Sequence, residues 1–231
     1  MRARLLKIPM PLVNSFSIRR DTLPYINNYW HYHREIELVY IKNGSGTQFI
    51  GDHVKPFTTG QAVLIGGHLP HYWKFDDVYF SSAHEAPVDV IVIHFNNDFF
   101  GESFLNLPEN KIIRKVLRES GKGIQIDNSY GQQIGELMEN IFLSVGTKRL
   151  LLLLEILTIM GSELKNVTLL SPDFKNNAWV KDNSPISNIY NFILANFNQK
   201  INTQQLADLA DTRVVAAGRE PARAGGGLPV E

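Results

Sequence analysis

Short runs of β-branched and aromatic residues occupy the first hundred positions of the chain. The runs EIELVYI, GTQFI, QAVLIG and VDVIVIHF are separated by segments such as KNGSG, IGDH and GGHLP. Valine, isoleucine and aromatic side chains favour strands, while glycine, asparagine and aspartate favour the turns between them. Several short strands at this spacing predict an antiparallel β-barrel or sandwich over residues 1–107.

The hydrophobic pattern changes to a helical period after about Asn97. The segment LPENKIIRKVLRES and the strongly apolar segment 147–164 both predict helices. Between them, six apolar residues fall at helical spacing and predict one narrow stripe: Ile134, Leu137, Met138, Ile141, Phe142 and Val145. Segment 147–164 is apolar on nearly all sides of the helix, so other parts of the protein have to shield several of these sides from water. A second copy of the chain could supply part of this shielding. Residues 108–165 are therefore predicted to form a helical region.

Residues 166–184 are rich in Asn, Asp, Ser and Lys, which predicts a linker. Ser184 and Pro185 have the residue types of a helix N-cap and a first helical turn. The apolar stripe that follows predicts one helix, and INTQQLADLA predicts a second. Asn202 and Gln205 at its start have the spacing of a capping box.

The last nineteen residues, RVVAAGREPARAGGGLPVE, differ in composition from the rest of the chain. Residues 1–212 are rich in Asn, Ile, Phe, Tyr and Lys, and none of these occurs in residues 213–231. Such an excess of Ala, Gly, Arg and Pro is typical of an out-of-frame or vector-derived reading, with a natural flexible tail as the alternative. We expect residues 213–231 to be non-native or disordered and to take no part in the fold.

Composition and charge predict a globular protein of a reducing compartment. The 231 residues carry 23 Lys and Arg against 23 Asp and Glu, so no charge excess directs the whole chain to nucleic acid or to a membrane. The absence of cysteine excludes disulfides and thiolate chemistry. Lys7, Pro9 and Pro11 interrupt the first apolar stretch, and the apolar run at 150–154 is too short to span a bilayer. We therefore expect a cytoplasmic protein.

The clearest candidate for chemistry is the sequence WHYHREIELVY, in which two histidines flank one residue. Side chains alternate along a strand, so His31, His33, Glu35 and Glu37 are predicted to share one face. Imidazole nitrogens and a carboxylate oxygen bind Zn, Fe, Mn, Ni or Cu. A fourth ligand has to come from another strand, and His71 in GGHLPHYW is the candidate.

The spacing HxH(x3)E(x6)G, which begins at His31, resembles the first motif of the cupin β-barrels. Residues 60–71 resemble their second motif, with His71 at the place of the fourth ligand. Gly66 and His68 depart from the family pattern, which usually has proline and glycine there. The resemblance implies a small antiparallel barrel with a central cavity, and the departures count against a bound metal.

A wider pattern resembles the AraC-type transcription regulators. The WHxHxExE strand, a glycine-marked hairpin, a GD turn and GxAVLIxxxxPHYW resemble their N-terminal sensor barrel, where the His and Glu positions often persist without metal. PISNIYNFILANFNQKINTQQLADLAD resembles the start of their DNA-binding domain, which contains two helix-turn-helix units. The resemblance covers about residues 5–211. It implies an α+β fold: a cupin-like antiparallel β-barrel, a helical dimerisation region, and a fragment of an all-α helix-turn-helix domain.

The resemblance ends after LADLAD, where the family continues with a recognition helix. A helix-turn-helix reads bases with its second helix, held against the first. Residues 185–212 contain the first helix only, with Lys200 as their sole Lys or Arg against Asp208 and Asp211. Because contacts to phosphates need basic side chains, we expect no DNA-binding residues in this truncated chain. DNA is expected as a partner of the full-length parent.

Three interpretations of the His and Glu residues stay open: a metal centre, the polar lining of a ligand pocket, or hydrogen-bonded structural residues. The pocket is favoured because ligand pockets are mostly apolar with a few fixed polar groups. The neighbouring aromatic residues suit either stacking on a sugar or packing in the core. The predicted pocket comprises His31, His33, Glu37, His71, Trp30, Tyr32, Trp73 and His94.

Together these patterns predict a ligand-responsive AraC-type regulator, here mainly its effector-binding and dimerisation portion. The expected effector is a sugar or a similar small metabolite, whose binding would reorder residues 1–15 or the helices. The expected partner is a second copy of the chain, with no cofactor. The alternative is a metal-dependent cupin enzyme, an isomerase or dioxygenase, and a barrel used only for dimerisation is a third interpretation. No hydrolase motif or phosphate loop is present, so enzyme activity is not expected.

Overall fold

The computed structural model describes residues 3–9, 13–25, 29–81, 87–126, 128–162 and 168–174, and further on positions 189, 192–193, 196 and 199–209. The chain divides into two compact units, one of residues 3–176 and one of residues 177–231 with the first two residues. The predicted cap at Ser184 and Pro185, residues 175–184 of the predicted linker and the predicted tail 213–231 lie outside the described residues.

Ten strands form two five-stranded sheets in the described part of the first unit. The strands are β1 (Arg4–Leu5), β2 (Phe16–Asp21), β3 (His31–Tyr32), β4 (Ile36–Asn43), β5 (Gly46–Ile50), β6 (His53–Phe57), β7 (Ala62–Ile65), β8 (His71–Phe75), β9 (Asp89–Phe95) and β10 (Ile124–Ile126). The first sheet has the order β1-β3-β8-β5-β6 and the second has the order β10-β7-β4-β9-β2. Neighbouring strands are antiparallel, except that β1 and β3 are parallel.

The α+β class is confirmed, but the strands form an open sandwich and not the predicted closed barrel. Among the described residues no ladder of hydrogen bonds joins the two sheets. Edge strand β6 contains Pro56, which has no N–H to offer a further strand. At the opposite edge of the first sheet, β1 is only two residues long. The chain passes between the two sheets several times, and the crossover that concerns the site lies between β3 and β4, at residues 33–35.

The second sheet is buried on both faces because alternate residues of its strands serve two separate cores. Leu38, Leu64 and Ile93 pack against the helices. Val39 and Val92 point the other way, into a core shared with strands of the first sheet. Each such buried aliphatic side chain stabilises the fold by about 1.5–3 kcal/mol. The inner face of this sheet therefore forms one wall of the interior between the sheets.

Four α-helices cover the outer face of the second sheet. They are α1 (Glu102–Leu105), α2 (Lys111–Glu119), α3 (Asn128–Leu143) and α4 (Thr147–Ser162). The three predicted helices are confirmed. Two residues of the predicted apolar stripe are not buried: Val145, which lies beyond the end of α3, is 85% exposed, and Phe142 is 42% exposed. Strand β10, inside the predicted helical region, was not expected. Among the described residues, no helix is long and apolar enough to cross a membrane.

Helix α3 approaches the second sheet so closely that two of its residues must lack side chains. A Cβ atom on Gly131 would overlap the carbonyl oxygen of Gly60, and a Cβ atom on Gly135 would overlap the ring of Tyr40. A side chain can rotate away from such an overlap, whereas a backbone carbonyl cannot. Gly131 therefore sets the distance between the helix and the turn before β7.

We expect the Gly131→Ala substitution to lower the free energy of unfolding by about 2 kcal/mol, because overpacking costs about 1–3 kcal/mol. Helix propensity alone would give the opposite sign, since alanine is favoured over glycine by about 1 kcal/mol. Urea denaturation measures the difference. The matched control is Gly121→Ala, where an added Cβ meets no atom within 4 Å. Equal stability of the two variants would contradict the close approach.

Residues 168–174, which we call the strap, pack onto the sandwich although they fall in the predicted linker. Thr168 forms an antiparallel bridge with Ile124. The N–H of Leu170 donates to the carbonyl of Lys122 over 3.0 Å. Leu170 itself is buried with residues of β5 and β7. This part of the predicted linker is therefore packed against the sheets of the first unit.

The second unit is described at few positions, and these agree with the predicted helices. Positions 189, 192–193 and 196 are helical, and residues 203–209 form a further helical segment. The predicted capping box is confirmed: the N–H of Asn202 donates to Oε1 of Gln205, and the N–H of Gln204 donates to Oδ1 of Asn202, both over 2.9 Å.

Candidate functional site

Four histidines and one glutamate meet in the interior between the two sheets, and we call these five residues the histidine cluster. His31 pairs with His71 across β3 and β8 of the first sheet. Glu37 pairs with His94 across β4 and β9 of the second sheet. His33 lies on the crossover between the sheets. Each of the five is at most 4% exposed to solvent.

The carboxylate of Glu37 is the centre of the cluster. Its Oε2 atom lies 2.6 Å from Nε2 of His94, 3.0 Å from Nε2 of His33 and 3.8 Å from Nε2 of His71. The rings of His31 and His71 are 4.4 Å apart, centroid to centroid. One ligand atom from each of four residues lies within 4.8 Å of the others: His31, His33, Glu37 and His71. The structure therefore brings together all four residues that the sequence predicted as metal ligands.

Backbone carbonyls fix the orientation of three of the imidazoles. Nδ1 of His31 lies 2.8 Å from the carbonyl of Tyr29, and Nδ1 of His71 lies 2.7 Å from the carbonyl of Leu69. Nδ1 of His33 lies 3.0 Å from the carbonyl of Glu35. A carbonyl can only accept, so each Nδ1 carries the proton and donates it. In the neutral ring, Nε2 then presents a lone pair to the interior.

At least one of these lone pairs makes no hydrogen bond. Nε2 of His71 is buried and has no hydrogen-bond partner among the described residues. Nε2 of His33 and Oε2 of Glu37 are 3.0 Å apart, although both are acceptors when the ring is neutral. A cation bound between these two atoms would relieve their repulsion. Metal-binding histidines commonly donate their other ring nitrogen to a carbonyl, as these three do.

Burial and mutual charge shift the pKa values within the cluster. Burial lowers the pKa of His71 well below its usual 6.5, and nearby His31 adds to the effect while Glu37 opposes it. Burial also lowers the pKa of His31, again against the attraction of Glu37. Burial alone would raise the pKa of Glu37, but the imidazoles of His94, His71 and His33 together hold it well below 4.5. The cluster thus favours an ionised carboxylate on Glu37 and neutral rings on His31 and His71.

A cavity extends from the cluster along the inner face of the second sheet. Its empty volume is about 470 Å³, which includes space open to solvent. Most of its lining is apolar: Leu23, Val39, Ile41, Trp73, Phe75, Val88, Val90 and Val92. The polar lining residues are Arg19, Asp21, His31 and Glu37. Nε of Arg19 donates to Asp21 over 2.9 Å, and both lie towards the exposed end.

The aromatic residues predicted for the pocket separate into two groups. Trp73 lines the cavity, its ring lies 5.5 Å from that of His71, and its buried Nε1 has no hydrogen-bond partner. Trp30 is buried and Tyr32 lies beside His68, and neither is among the described lining residues. His94 contacts Glu37 directly, so its place is in the cluster.

Sequence inspection missed much of the cavity lining. Arg19 and Asp21 are ordinary alternating residues of β2 and carry no motif. Val88, Val90 and Val92 could have been found, because they have the same parity as His94 in one strand. Once His94 is assigned to the interior, alternation places the three valines there as well.

Comparison by sequence gives no assignment. No protein-family model matches the chain. No curated protein matches it either.

Solved structures give weak matches over much of the chain. Apo ToxT from Vibrio cholerae is 11% identical with a TM-score of 0.44, covering 88% of this chain and 73% of its own. The AraC-like transcriptional activator CuxR is 7% identical with a TM-score of 0.41, covering 78% of this chain and 58% of its own. A mannose-6-phosphate isomerase candidate from Ralstonia eutropha is 17% identical with a TM-score of 0.28, covering 37% of this chain and 81% of its own.

The chain resembles AraC-type regulators. At TM-scores below 0.5, structural similarity says nothing about what the chain binds, so its ligand has to be inferred from the cavity and the cluster.

Proposed function

We propose that the chain is the effector-binding portion of a ligand-responsive transcription regulator that acts in the cytoplasm. The observation that carries the proposal is the mostly apolar cavity between the sheets, which has a few fixed polar groups. Ligand sites typically combine these two features. DNA is the partner of the whole regulator in this proposal, because residues 185–212 offer only one basic side chain.

The paired residues along β4 and β9 indicate the kind of molecule that fits. Glu37 pairs with His94, Val39 with Val92, and Ile41 with Val90, all on the inner face. The wall is therefore polar at one end and aliphatic over the rest of its length. A small metabolite with one polar end and an apolar body matches this order. A sugar matches only in part, through stacking on Trp73, because its other hydroxyl groups would meet valines.

Thermal-shift measurements on the full chain test the proposal with two sets of compounds, pentoses and hexoses in one and small aliphatic acids and alcohols in the other. We expect the second set to raise the melting temperature, since ligands that bind only the folded state stabilise it. The Val90→Phe variant, which fills the cavity, should abolish the shift. Ile91→Val, on the opposite face of the same strand, is the matched control and should preserve it. Shifts that persist in Val90→Phe would contradict the site.

Dimerisation remains part of the proposal. Large apolar side chains are exposed at the end of α3 and the start of α4, namely Phe142, Leu143, Val145 and Leu151. Contact with a second copy would remove them from water. Sedimentation equilibrium of the full chain decides between monomer and dimer.

A second candidate function is metal binding by the histidine cluster, and the orphaned Nε2 of His71 is the observation that favours it. His31, His33, His71 and Glu37 form a donor set of three nitrogens and one oxygen, which suits Zn²⁺. A bound ion would supply Lewis-acid polarisation of an oxygen on the effector. Calorimetric titration of the full chain with Zn²⁺ after treatment with a chelator tests this candidate. One ion per chain is expected, and an absence of heat would contradict it.

A further inference from the structure

The strap occupies a groove whose shape is matched to it. Gly51 has a positive φ of 55°, and an added Cβ would overlap Leu170 and lie 3.0 Å from the ring of Phe174. Glycine is therefore required both by the turn and by the two side chains that rest on it. The groove is thus a built docking site, not an accidental contact.

Polar contacts hold the strap at several points. The backbone N–H and the hydroxyl of Ser171 both donate to the carboxylate of Asp52. The N–H of Leu169 donates to the carbonyl of Gly123 over 3.0 Å. Such contacts fix the position of the strap along the groove as well as its attachment.

The strap and the histidine cluster share residues. The carbonyl of Leu69 accepts the hydrogen bond from Nδ1 of His71, while the side chain of Leu69 is buried in one cluster with Leu170. Ile50 pairs with His71 in the sheet and belongs to that same cluster. Trp73 also packs against these residues and against the ring of His71. A shift of His71 would therefore displace side chains that pack directly against the strap.

We infer that docking of the strap is coupled to occupancy of the histidine cluster. A cation bound at Nε2 of His71 fixes the ring, which fixes the Leu69 carbonyl and the surface on which Leu170 rests. An empty cluster leaves that surface less constrained, and the strap undocks more often. Where the occupant is a cation, the inference rests on the second candidate function, metal binding by the histidine cluster. Two sites linked in this way must affect each other by the same factor.

Hydrogen exchange measured by mass spectrometry tests the coupling in the full chain. With Zn²⁺ bound, amide exchange in the strap should slow about tenfold relative to the metal-free protein, within the usual range of coupling between sites. Amides of α4, which lies outside the route, serve as the internal reference and should not change. Zinc binding without slower exchange in the strap would overturn the inference.

A variant of the strap tests the reverse direction. Leu170→Ala should speed amide exchange in the strap and weaken Zn²⁺ binding. The factor by which it weakens Zn²⁺ binding should approach the factor by which Zn²⁺ slows exchange in the unaltered strap. Leu151→Ala, at an exposed position of α4, is the matched control and should leave both quantities unchanged. Loss of strap protection in Leu170→Ala with unchanged zinc affinity would also overturn the inference.

A third arm decides the matter if no zinc binds. In the metal-free protein, His71→Phe removes the hydrogen bond to Leu69 and should speed exchange in the strap but not in α4. His71→Gln keeps a donor at this position and should restore part of the protection. If exchange in the strap is the same in both variants as in the unaltered chain, the coupling is absent, whatever the fate of the metal-binding candidate.

Discussion

Replacing Glu37 with leucine should lower the free energy of unfolding of the metal-free protein by about 1–3 kcal/mol, the usual cost of leaving a buried hydrogen-bond donor without its acceptor. The carboxylate is 4% exposed and is the common partner of His33 and His94. Leucine fills a similar volume but accepts no hydrogen bond. The N–H at Nε2 of His94 would then lie in the interior without an acceptor. Denaturant unfolding in the presence of a chelator measures the loss.

Glu35→Leu is the matched control for this variant. Glu35 lies two residues earlier, its side chain is 14% exposed, and its carboxylate is 3.8 Å from Nδ1 of His33. Because this contact is long and partly solvated, its loss should cost less than about 1 kcal/mol. Equal costs for the two variants would show that Glu37 does not organise the interior.

The metal-free protein should lose stability as the pH falls below about 6.5, well before ordinary carboxylates are protonated. The folded state lowers the pKa of His31 and of His71, so the unfolded chain takes up protons first as the solution is acidified. The stability that these neutral rings provide is complete above pH 6.5, the ordinary histidine value, and decreases below it. With two such groups, the slope reaches at most about 2.7 kcal/mol per pH unit.

Glu37 adds a second loss at lower pH. Its folded pKa lies well below 4.5, so its contribution is complete above 4.5 and disappears as the pH falls through the folded value. Melting temperatures measured from pH 8 to about pH 2 in a chelating buffer should therefore show two successive declines. His71→Gln, which cannot take up a proton at that position, should reduce the slope of the first decline. A flat profile between pH 6.5 and 5 would contradict the burial of neutral imidazoles.

The sequence was enough to predict which residues form the histidine cluster. It was not enough to predict how the fold brings them together. Simple alternation placed His31, His33, Glu35 and Glu37 on one face of a single strand, and this was wrong for Glu35, whose carboxylate lies outside the cluster. The structure instead has two strands in two sheets, with His33 on the crossover between them. The residues converge because the chain changes direction between β3 and β4. The side chains of His31 before this corner and of Glu37 after it both point into the interior. Alternation cannot reveal a corner, since RE within WHYHREIE carries no glycine or proline to mark one.

The strap escaped prediction for a different reason. Asn, Asp, Ser and Lys dominate residues 166–184, and this composition is normally that of a solvated linker. Its docking depends on two leucines and on the glycine at position 51, more than a hundred residues earlier in the chain. Contacts of such long range leave no local periodicity. The main strands and helices were predictable because their hydrophobic periods are local.

Because the sandwich is open, the histidine cluster is a point at which its two sheets can be linked. Among the described residues the two sheets share no backbone ladder, and the chain has no cysteine with which to bridge them. Glu37 belongs to one sheet and His71 to the other, so an ion bound by both residues would link the two sheets. Chelation would remove that link, and the contact between the two sheets would then rest on their packed side chains, such as Val39 against Phe75.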